Sequence, residues 1–159
     1  MKLWQSTEWQ TFYRNGQHRT GLHVRYEPGV DPEVKRAIGE YIAWLRSQYE
    51  FPKRLRLYVK RDRRIRATDG SLMCATFFRP ADRNREPYIR AATGDYAELL
   101  QKWGKDNALA AQLSSIARMI THYYQWLNDV ELTLIGEDRQ AAVYAKASLA
   151  AYAQTREHP

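Results

Sequence analysis

The first part of the chain has a strand pattern followed by a helical stripe. Residues 22–26 alternate between apolar and polar side chains, which is typical of a strand with one buried face. Asp31 and Pro32 then combine an N-cap residue with the proline that favours the first helical position. Apolar residues at helical spacing continue to about Tyr49, so the pattern predicts one helix after the first strand.

The middle of the chain is predicted to form a small sheet. Alternation of apolar and basic residues after Pro52 indicates a half-buried strand with one basic face. Asp69 followed by Gly70 is a strong hairpin signal. The expected strands, in a largely antiparallel run, span residues 54–60, 65–67, 72–78 and 88–93. We expect the apolar 72–78 strand to be central and the 88–93 strand to lie at an edge.

Beyond Gly94 the hydrophobic spacing becomes helical. The three predicted helices span residues 95–103, 106–128 and 137–154. The last helix is rich in alanine, and Val143, Ala147 and Ala150 form the stripe that we expect to be buried. The predicted fold is therefore α+β, with a small antiparallel or mixed twisted sheet packed against an N-terminal helix and two long C-terminal helices.

Composition and length predict one globular domain over residues 1–159. The chain has 159 residues, of which 44% are apolar and 27% charged, so it can bury a core. It has neither an apolar run of membrane-spanning length nor the apolar region of a secretory signal, and we expect a soluble cytoplasmic protein without membrane partners. A single cysteine, Cys74, excludes a disulfide framework, and its apolar neighbours predict a buried thiol.

Charge divides the domain into two halves. Residues 1–94 hold 19 basic and ten acidic residues, whereas residues 95–159 hold six and eight. Eight basic residues and one acid lie within residues 53–66. The predicted basic surface comprises Arg54, Arg56, Tyr58, Lys60, Arg61, Arg63 and Arg64. Such a surface attracts polyanions or an acidic partner, or is simply the solvated face of a sheet.

The last two predicted helices carry a motif. The stretch Ile-Ala-Arg-Met-Ile-Thr-His-Tyr-Tyr-Gln-Trp-Leu spans 116–127, and Gly-Glu-Asp-Arg-Gln-Ala-Ala-Val-Tyr-Ala spans 136–145. Together they resemble the active-site region of small zinc metallopeptidases, the zincins, of the immunity-repressor-peptidase and SprT-like kinds. In those enzymes two histidines four residues apart bind zinc, a glutamate between them activates the metal-bound water, and a third ligand comes from the next helix.

The resemblance implies a site that has lost its catalytic groups. His122 stands at the second-histidine position, and Glu137 stands where a third ligand is expected. Arg118 replaces the first histidine, and Met119 replaces the glutamate. A guanidinium stays protonated and methionine is no base, so we expect no catalytic residue and no bound metal, with His122 and Glu137 the only ligands for any residual zinc.

Two compensations are expected for this loss. The Arg118 guanidinium is predicted to pair with the buried Glu137 carboxylate, and Met119 to fill the emptied base pocket. Taken singly, each residue also has a structural explanation: His122 as an ordinary helix histidine, Glu137 as a first-turn acid, and the aromatic residues after His122 as core. His18, His23 and His158 lie on separate predicted elements and show no metal-ligand spacing.

Three functions are compatible with the sequence. The first is an inactive zincin-like protein, in a bacterial or phage setting, that binds an acidic protein surface or adds an extended peptide at the 88–93 strand. The second is a nucleic-acid-binding protein, for DNA or RNA, that uses the basic strand face with Tyr58 as a stacking residue. The third is a zinc metallopeptidase with an unconventional ligand set.

Overall fold

The computed structural model describes residues 2–13 and 21–159. The described helices are α1 (Pro32–Gln48), α2 (Tyr96–Trp103), α3 (Lys105–Leu127) and α4 (Leu134–Ala153), preceded by two short 3₁₀ turns at Leu3–Gln5 and Glu8–Thr11. The strands are β1 (Leu22–Tyr26), β2 (Leu55–Lys60), β3 (Ile65–Arg66), β4 (Leu72–Met73), β5 (Ala75–Phe78) and β6 (Tyr88–Ala92). The α+β class predicted from the sequence is confirmed.

The main sheet is mixed and has the strand order β1-β2-β6-β5. Strands β1, β2 and β6 are parallel, and β5 pairs with β6 in the antiparallel sense. Strands β3 and β4 form a separate hairpin closed at Gly70, whose φ of 87° suits glycine. The expected run of antiparallel strands is wrong, because the long connection that contains the hairpin and β5 lets β6 return parallel to β2.

Two strand positions differ from the prediction. The segment 72–78 is two strands, of which β4 belongs to the exposed hairpin and β5 is an edge of the main sheet. The segment 88–93, predicted at an edge, contains β6, which lies between β2 and β5. Periodicity shows which face of a strand is buried, but strand order depends on pairing between distant segments, which periodicity does not record.

The hydrophobic core lies between one face of this sheet and the helices. Its sheet side consists mainly of side chains that are fully buried: Leu22, Leu55, Leu57, Val59 and Ile89. These residues share one cluster with the buried faces of α1 and α3. The alternate residues of β1, β2 and β6 point away from this cluster and, except for the buried Ala92, are exposed or half-buried. The expected arrangement, with helices on one face of the sheet, is confirmed for the described residues.

The helix ends follow the predicted capping only in part. Asp31 caps α1 as expected, since its Oδ1 accepts a hydrogen bond from the amide of Glu33 at 2.8 Å. Helix α3 begins after Gly104, so Asp106 lies in its first turn and is not its N-cap. Helix α4 starts at Leu134, because the Thr133 hydroxyl accepts a hydrogen bond from the Gly136 amide at 3.0 Å.

The stripe predicted to be buried on α4 is wrong. Val143, Ala147 and Ala150 are exposed, with Val143 retaining 66% of its accessible surface. The buried positions after the first turn are Ala141, Ala145, Ser148 and Tyr152. An alanine-rich helix offers several stripes of similar hydrophobicity, and the hydrogen bond of 2.6 Å between the hydroxyls of Ser148 and Tyr41 selects this one.

Two further observations concern single features. Cys74 is exposed between β4 and β5, so the prediction of a buried thiol is wrong. None of the helices within residues 2–13 and 21–159 combines the length and the apolar character that a membrane span needs.

Candidate functional site

The candidate site lies where α3 meets the first turn of α4. His122, on α3, is half-buried, and its Nδ1 is 2.7 Å from Oε1 of Gln125. The amide nitrogen of Gln125 donates to the backbone carbonyl of Glu137 at 3.0 Å and to the side chain of Gln140 at 2.9 Å. Since this nitrogen is the donor, the Gln125 oxygen accepts from His122, and Nδ1 carries the proton.

This hydrogen bond sets the tautomer and direction of the His122 ring. With Nδ1 protonated, the neutral ring has its lone pair on Nε2, which is 3.6 Å from Oδ1 of the exposed Asp138. A ring nitrogen held in this way by an acceptor on the other nitrogen is the arrangement that orients histidines as metal ligands. His122 is thus positioned as a ligand would be, and its imidazole is 14% exposed.

Glu137 lies buried in the first turn of α4 and pairs with an arginine that sequence reasoning missed. Its two carboxylate oxygens accept hydrogen bonds from Arg79 at 3.1 and 3.3 Å. The predicted pair between Arg118 and Glu137 is therefore wrong. Arg118 is exposed on α3, and Arg79 reaches the carboxylate because it directly follows β5, which packs against α3.

Met119, which is predicted to fill the emptied base pocket, lies on the core side of α3. It is half-buried and packs against the hydrophobic core. The structure therefore links the His122 ring to the backbone carbonyl of Glu137 through Gln125, while the Glu137 carboxylate is held by Arg79. Arg118 lies one turn before His122 on α3 and outside that network.

The aromatic residues that follow His122 anchor α3. Tyr123 donates a hydrogen bond to the carbonyl of Lys53 at 2.6 Å, and the indole of Trp126 donates to the carbonyl of Pro80 at 2.9 Å. Tyr124 reaches the carbonyl of Glu50 at 2.7 Å, and burial raises the pKa of both tyrosines well above its usual value. These side chains fix the height and rotation of α3, and so the direction in which His122 points.

The residues present do not fit a zinc ion. His122 and Glu137 are the two members of the implied ligand set that the chain retains, and Arg79 occupies the Glu137 carboxylate. Across residues 2–13 and 21–159 no group of three or more His, Cys, Asp and Glu side chains is placed to hold a metal. His158 pairs with Asp106 at 2.9 Å, and His18 lies outside the described residues.

Strand β5 has one unpaired edge beside this site. The amide of Ala92 donates to the carbonyl of Cys74 at 2.8 Å, so Thr76 and Phe78 are the next residues whose backbone faces β6. By the alternation of an antiparallel pair, the amides of Ala75 and Phe77 point to the opposite side. The described residues supply no hydrogen-bond partner for these two amides, and the Phe77 position is the more accessible of the two, because Ala75 is only 4% exposed.

The predicted basic surface divides into two parts, the first of which lies on β2. Arg56, Tyr58 and Lys60 alternate with the buried residues of that strand and are half-buried on the face away from the helices. Arg54 continues the same alternation just before β2. This part of the predicted surface is confirmed as one face of the sheet.

The second part begins at Lys60, the last residue of β2, continues into the loop after it, and is paired with carboxylates. Lys60 and Arg61 both contact Glu27, at 2.6 and 3.3 Å. Two more ion pairs join Arg63 to Glu98 at 2.7 Å and Arg64 to Asp95 at 2.9 Å. These four residues therefore contribute less net positive field than their number suggests.

Of two residues that complete the candidate site, the contact of one could be predicted from the sequence and the contact of the other could not. Gln125 lies three positions after His122, and residues at this spacing are neighbours on a helix, so its contact was open to prediction. Arg79 lies 58 residues from Glu137 in the chain, and nothing in its local pattern indicates that contact.

Comparison with protein-family models, curated proteins and solved structures finds no match for this chain.

Proposed function

We propose that this protein is a non-catalytic, zincin-like scaffold that binds an extended segment of a partner protein along β5. The unpaired β5 edge carries this proposal, because β5 leads directly into Arg79, which binds the Glu137 carboxylate. A peptide added here as a strand gains backbone hydrogen bonds from Ala75 and Phe77. The strand that receives the peptide in this proposal is therefore β5. The 88–93 strand, which was predicted to do so, lies inside the sheet.

The chemistry of the site supports binding without cleavage. Peptide hydrolysis by a metallopeptidase needs a metal-bound water and a base beside it. Here Met119 stands at the base position, and Arg79 neutralises the carboxylate that the metal would share. The Arg79–Glu137 pair thereby holds the end of β5 against α4.

Charge near the edge favours an acidic segment. Arg79 retains 42% of its side-chain exposure although it pairs with Glu137, and Arg118 is exposed on the neighbouring helix. Both guanidiniums are available to a carboxylate of the bound segment. We therefore expect the preferred peptide to alternate apolar and polar residues and to carry at least one Asp or Glu.

Peptide display tests the proposal. Random peptides of about 12 residues are selected on the immobilised protein, and the recovered peptide is labelled for affinity measurement. Substitution Ala75→Pro removes one outward amide without removing a β5–β6 hydrogen bond, and we expect it to weaken binding about tenfold. Ala75→Gly is the matched control, because it alters the side chain but keeps the amide.

A second measurement avoids dependence on the folding of the proline variant. Addition of the recovered peptide to the wild-type protein is expected to slow hydrogen exchange at the amides of Ala75 and Phe77. Failure to recover a peptide, or protection confined to amides elsewhere, would contradict binding at this edge. Equal affinity for the Ala75→Pro variant would do the same.

A further inference from the structure

The face of the main sheet away from the helices has an ordered arrangement of side chains. Register aligns them in two rows across β1, β2, β6 and β5. The first row is His23, Arg56, Tyr88 and Phe78, and the second is Arg25, Tyr58, Arg90 and Thr76. His23 and Arg25 are exposed and the others half-buried, so in the described part of the chain no helix covers this face.

Arginines and tyrosines alternate in both directions at the centre of this face. Arg56 is opposite Tyr88, and Tyr58 is opposite Arg90, on the neighbouring strands β2 and β6. Strands in a sheet are about 4.8 Å apart, and same-face residues along one strand are about 7 Å apart. Each tyrosine therefore has an arginine as its same-face neighbour along its own strand and on the adjacent strand.

The aromatic rings of this face contact one another. Tyr88 stacks on Phe78 with ring centres 4.9 Å apart, and Tyr58 meets Tyr88 edge-on at 5.9 Å. Arg85 lies over the Phe78 ring at 5.2 Å. Tyr88 and Phe78 form a stacked pair, Tyr58 stands nearly perpendicular to that pair, and Arg85 lies over Phe78. Half-buried rings on an open face offer their free surfaces to another flat group.

Among the arginines of this face Arg90 is partly engaged, because it donates a hydrogen bond to the carbonyl of Arg66 at 3.3 Å, and its Nε and that of Arg54 are buried. No ion pair within the described residues involves Arg25, Arg54, Arg56 or Arg90, whereas Lys60 is paired with Glu27. Desolvation and then the charges of Arg54, Arg46 and Arg56 lower the pKa of His23. The positive field is thus concentrated around β1 and β2 on the open face.

We infer that this face binds single-stranded nucleic acid. Phosphates match the unpaired guanidiniums, and unpaired bases match the rings, because stacking on aromatic side chains requires a base that is free of its complement. Bases within a duplex are stacked on their neighbours and do not offer their flat faces to Tyr58 or Tyr88. An acidic polypeptide would satisfy the arginines but has no use for the stacked rings. This inference is independent of the proposed β5 edge.

Fluorescence anisotropy with labelled oligonucleotides tests it. The probes are oligothymidylate and oligouridylate of about 12 nucleotides, at about 50 mM salt. We expect binding whose logarithm falls with the logarithm of salt concentration with a slope of about −2 to −3, as three or four phosphate contacts imply for a single strand. A duplex of the same length is expected to bind at least about tenfold more weakly.

Variants on β2 separate stacking from charge. Tyr58→Ala is expected to weaken binding about tenfold, whereas Tyr58→Phe keeps the ring and the affinity. Arg56→Gln is expected to weaken it about fivefold. Lys146→Gln is the charge-matched control, because it removes one charge from the exposed surface of α4. Its effect should stay within about twofold.

Three results would overturn the inference. The first is equal binding of single strand and duplex, and the second is an equal loss for Arg56→Gln and Lys146→Gln with none for Tyr58→Ala. The third is tighter binding of poly-L-glutamate than of either oligonucleotide, which would assign the face to an acidic polypeptide. None of these variants alters β5, so failure here is distinguishable from failure of peptide binding.

Discussion

The ion pair between Arg79 and Glu137 is the residue-scale feature that holds β5 against α4. The Glu137 side chain keeps only 11% of its exposure, whereas Arg79 keeps 42%. If the pair is broken, the buried Glu137 carboxylate stays without full hydration, whereas the partly exposed arginine is hydrated by water. The two partners are therefore unequal, and removal of the arginine is the more damaging change.

We expect Arg79→Ala to lower the free energy of unfolding by about 2 kcal/mol, because it leaves Glu137 buried without its partner. Arg118→Ala is expected to cost less than about 0.5 kcal/mol, the range of exposed positions. Urea unfolding followed by tryptophan fluorescence measures both. In the double variant Arg79→Ala with Glu137→Gln, part of the loss should be recovered. Equal costs for the two single arginine variants would show that Arg79 is not the partner that matters.

Sequence reasoning at this scale succeeded where the interaction is local. The Asp31 cap is a contact between neighbours in the chain, and it is present as predicted. The partner of Glu137 was assigned wrongly because Arg118 was nearer in sequence. Arg79 becomes a neighbour only after β5 has paired with β6, which no local pattern records.

At the scale of elements, α3 and α4 form the frame of the candidate site. The helical stripe of α3 was predicted from its long hydrophobic periodicity, and the helix spans Lys105–Leu127. The buried face of α4 was not predicted correctly, because the many alanines make the faces of this helix similar in hydrophobicity. What fixes the two helices is the Gln125 side chain, which bonds both His122 and the Glu137 carbonyl.

If this frame is zincin-like, the missing groups can be restored. We expect the double variant Arg118→His with Met119→Glu to bind one zinc ion per chain, because two histidines at this spacing share one helix face and the divalent ion competes with Arg79 for the Glu137 carboxylate. Metal analysis after dialysis against zinc, together with the rise in melting temperature, measures this. Adding Glu137→Gln should lower the zinc affinity at least about tenfold. A double variant that retains no zinc would contradict the resemblance.

At the scale of the whole molecule, ion pairs join the start of α1 to α3 and to the C-terminal end. Glu33 of α1 contacts both Arg36 and Lys105, the first residue of α3. Glu40 of α1 accepts a hydrogen bond from Arg156 at 2.8 Å. Composition and periodicity predicted the α+β class, with which these contacts are compatible. They did not predict the contacts themselves, because these depend on strand order and helix packing across the whole chain.

At acidic pH, Glu33 is expected to lose its contribution to the free energy of unfolding. Hydrogen bonds from Arg36 and then Lys105 lower the pKa of Glu33 to about 2, from 4.5. A carboxylate whose pKa is lowered by folding stabilises the protein above its unfolded pKa, and the effect is lost as pH falls through the folded value. The urea midpoints of wild type and Glu33→Gln should therefore differ most above about pH 4.5 and converge towards about pH 2. A difference that stays constant over this range would contradict the ion pair.

The strand order β1-β2-β6-β5 has a consequence for biosynthesis. When β1, α1 and β2 have left the ribosome, β2 still lacks its second neighbour, and the apolar face of both strands awaits α3. A nascent chain that ends before Tyr88 cannot complete the sheet, because β6 is the strand that joins its two sides. Stable folding therefore waits for the C-terminal half to be synthesised, and until then the exposed apolar strands are a substrate for chaperones.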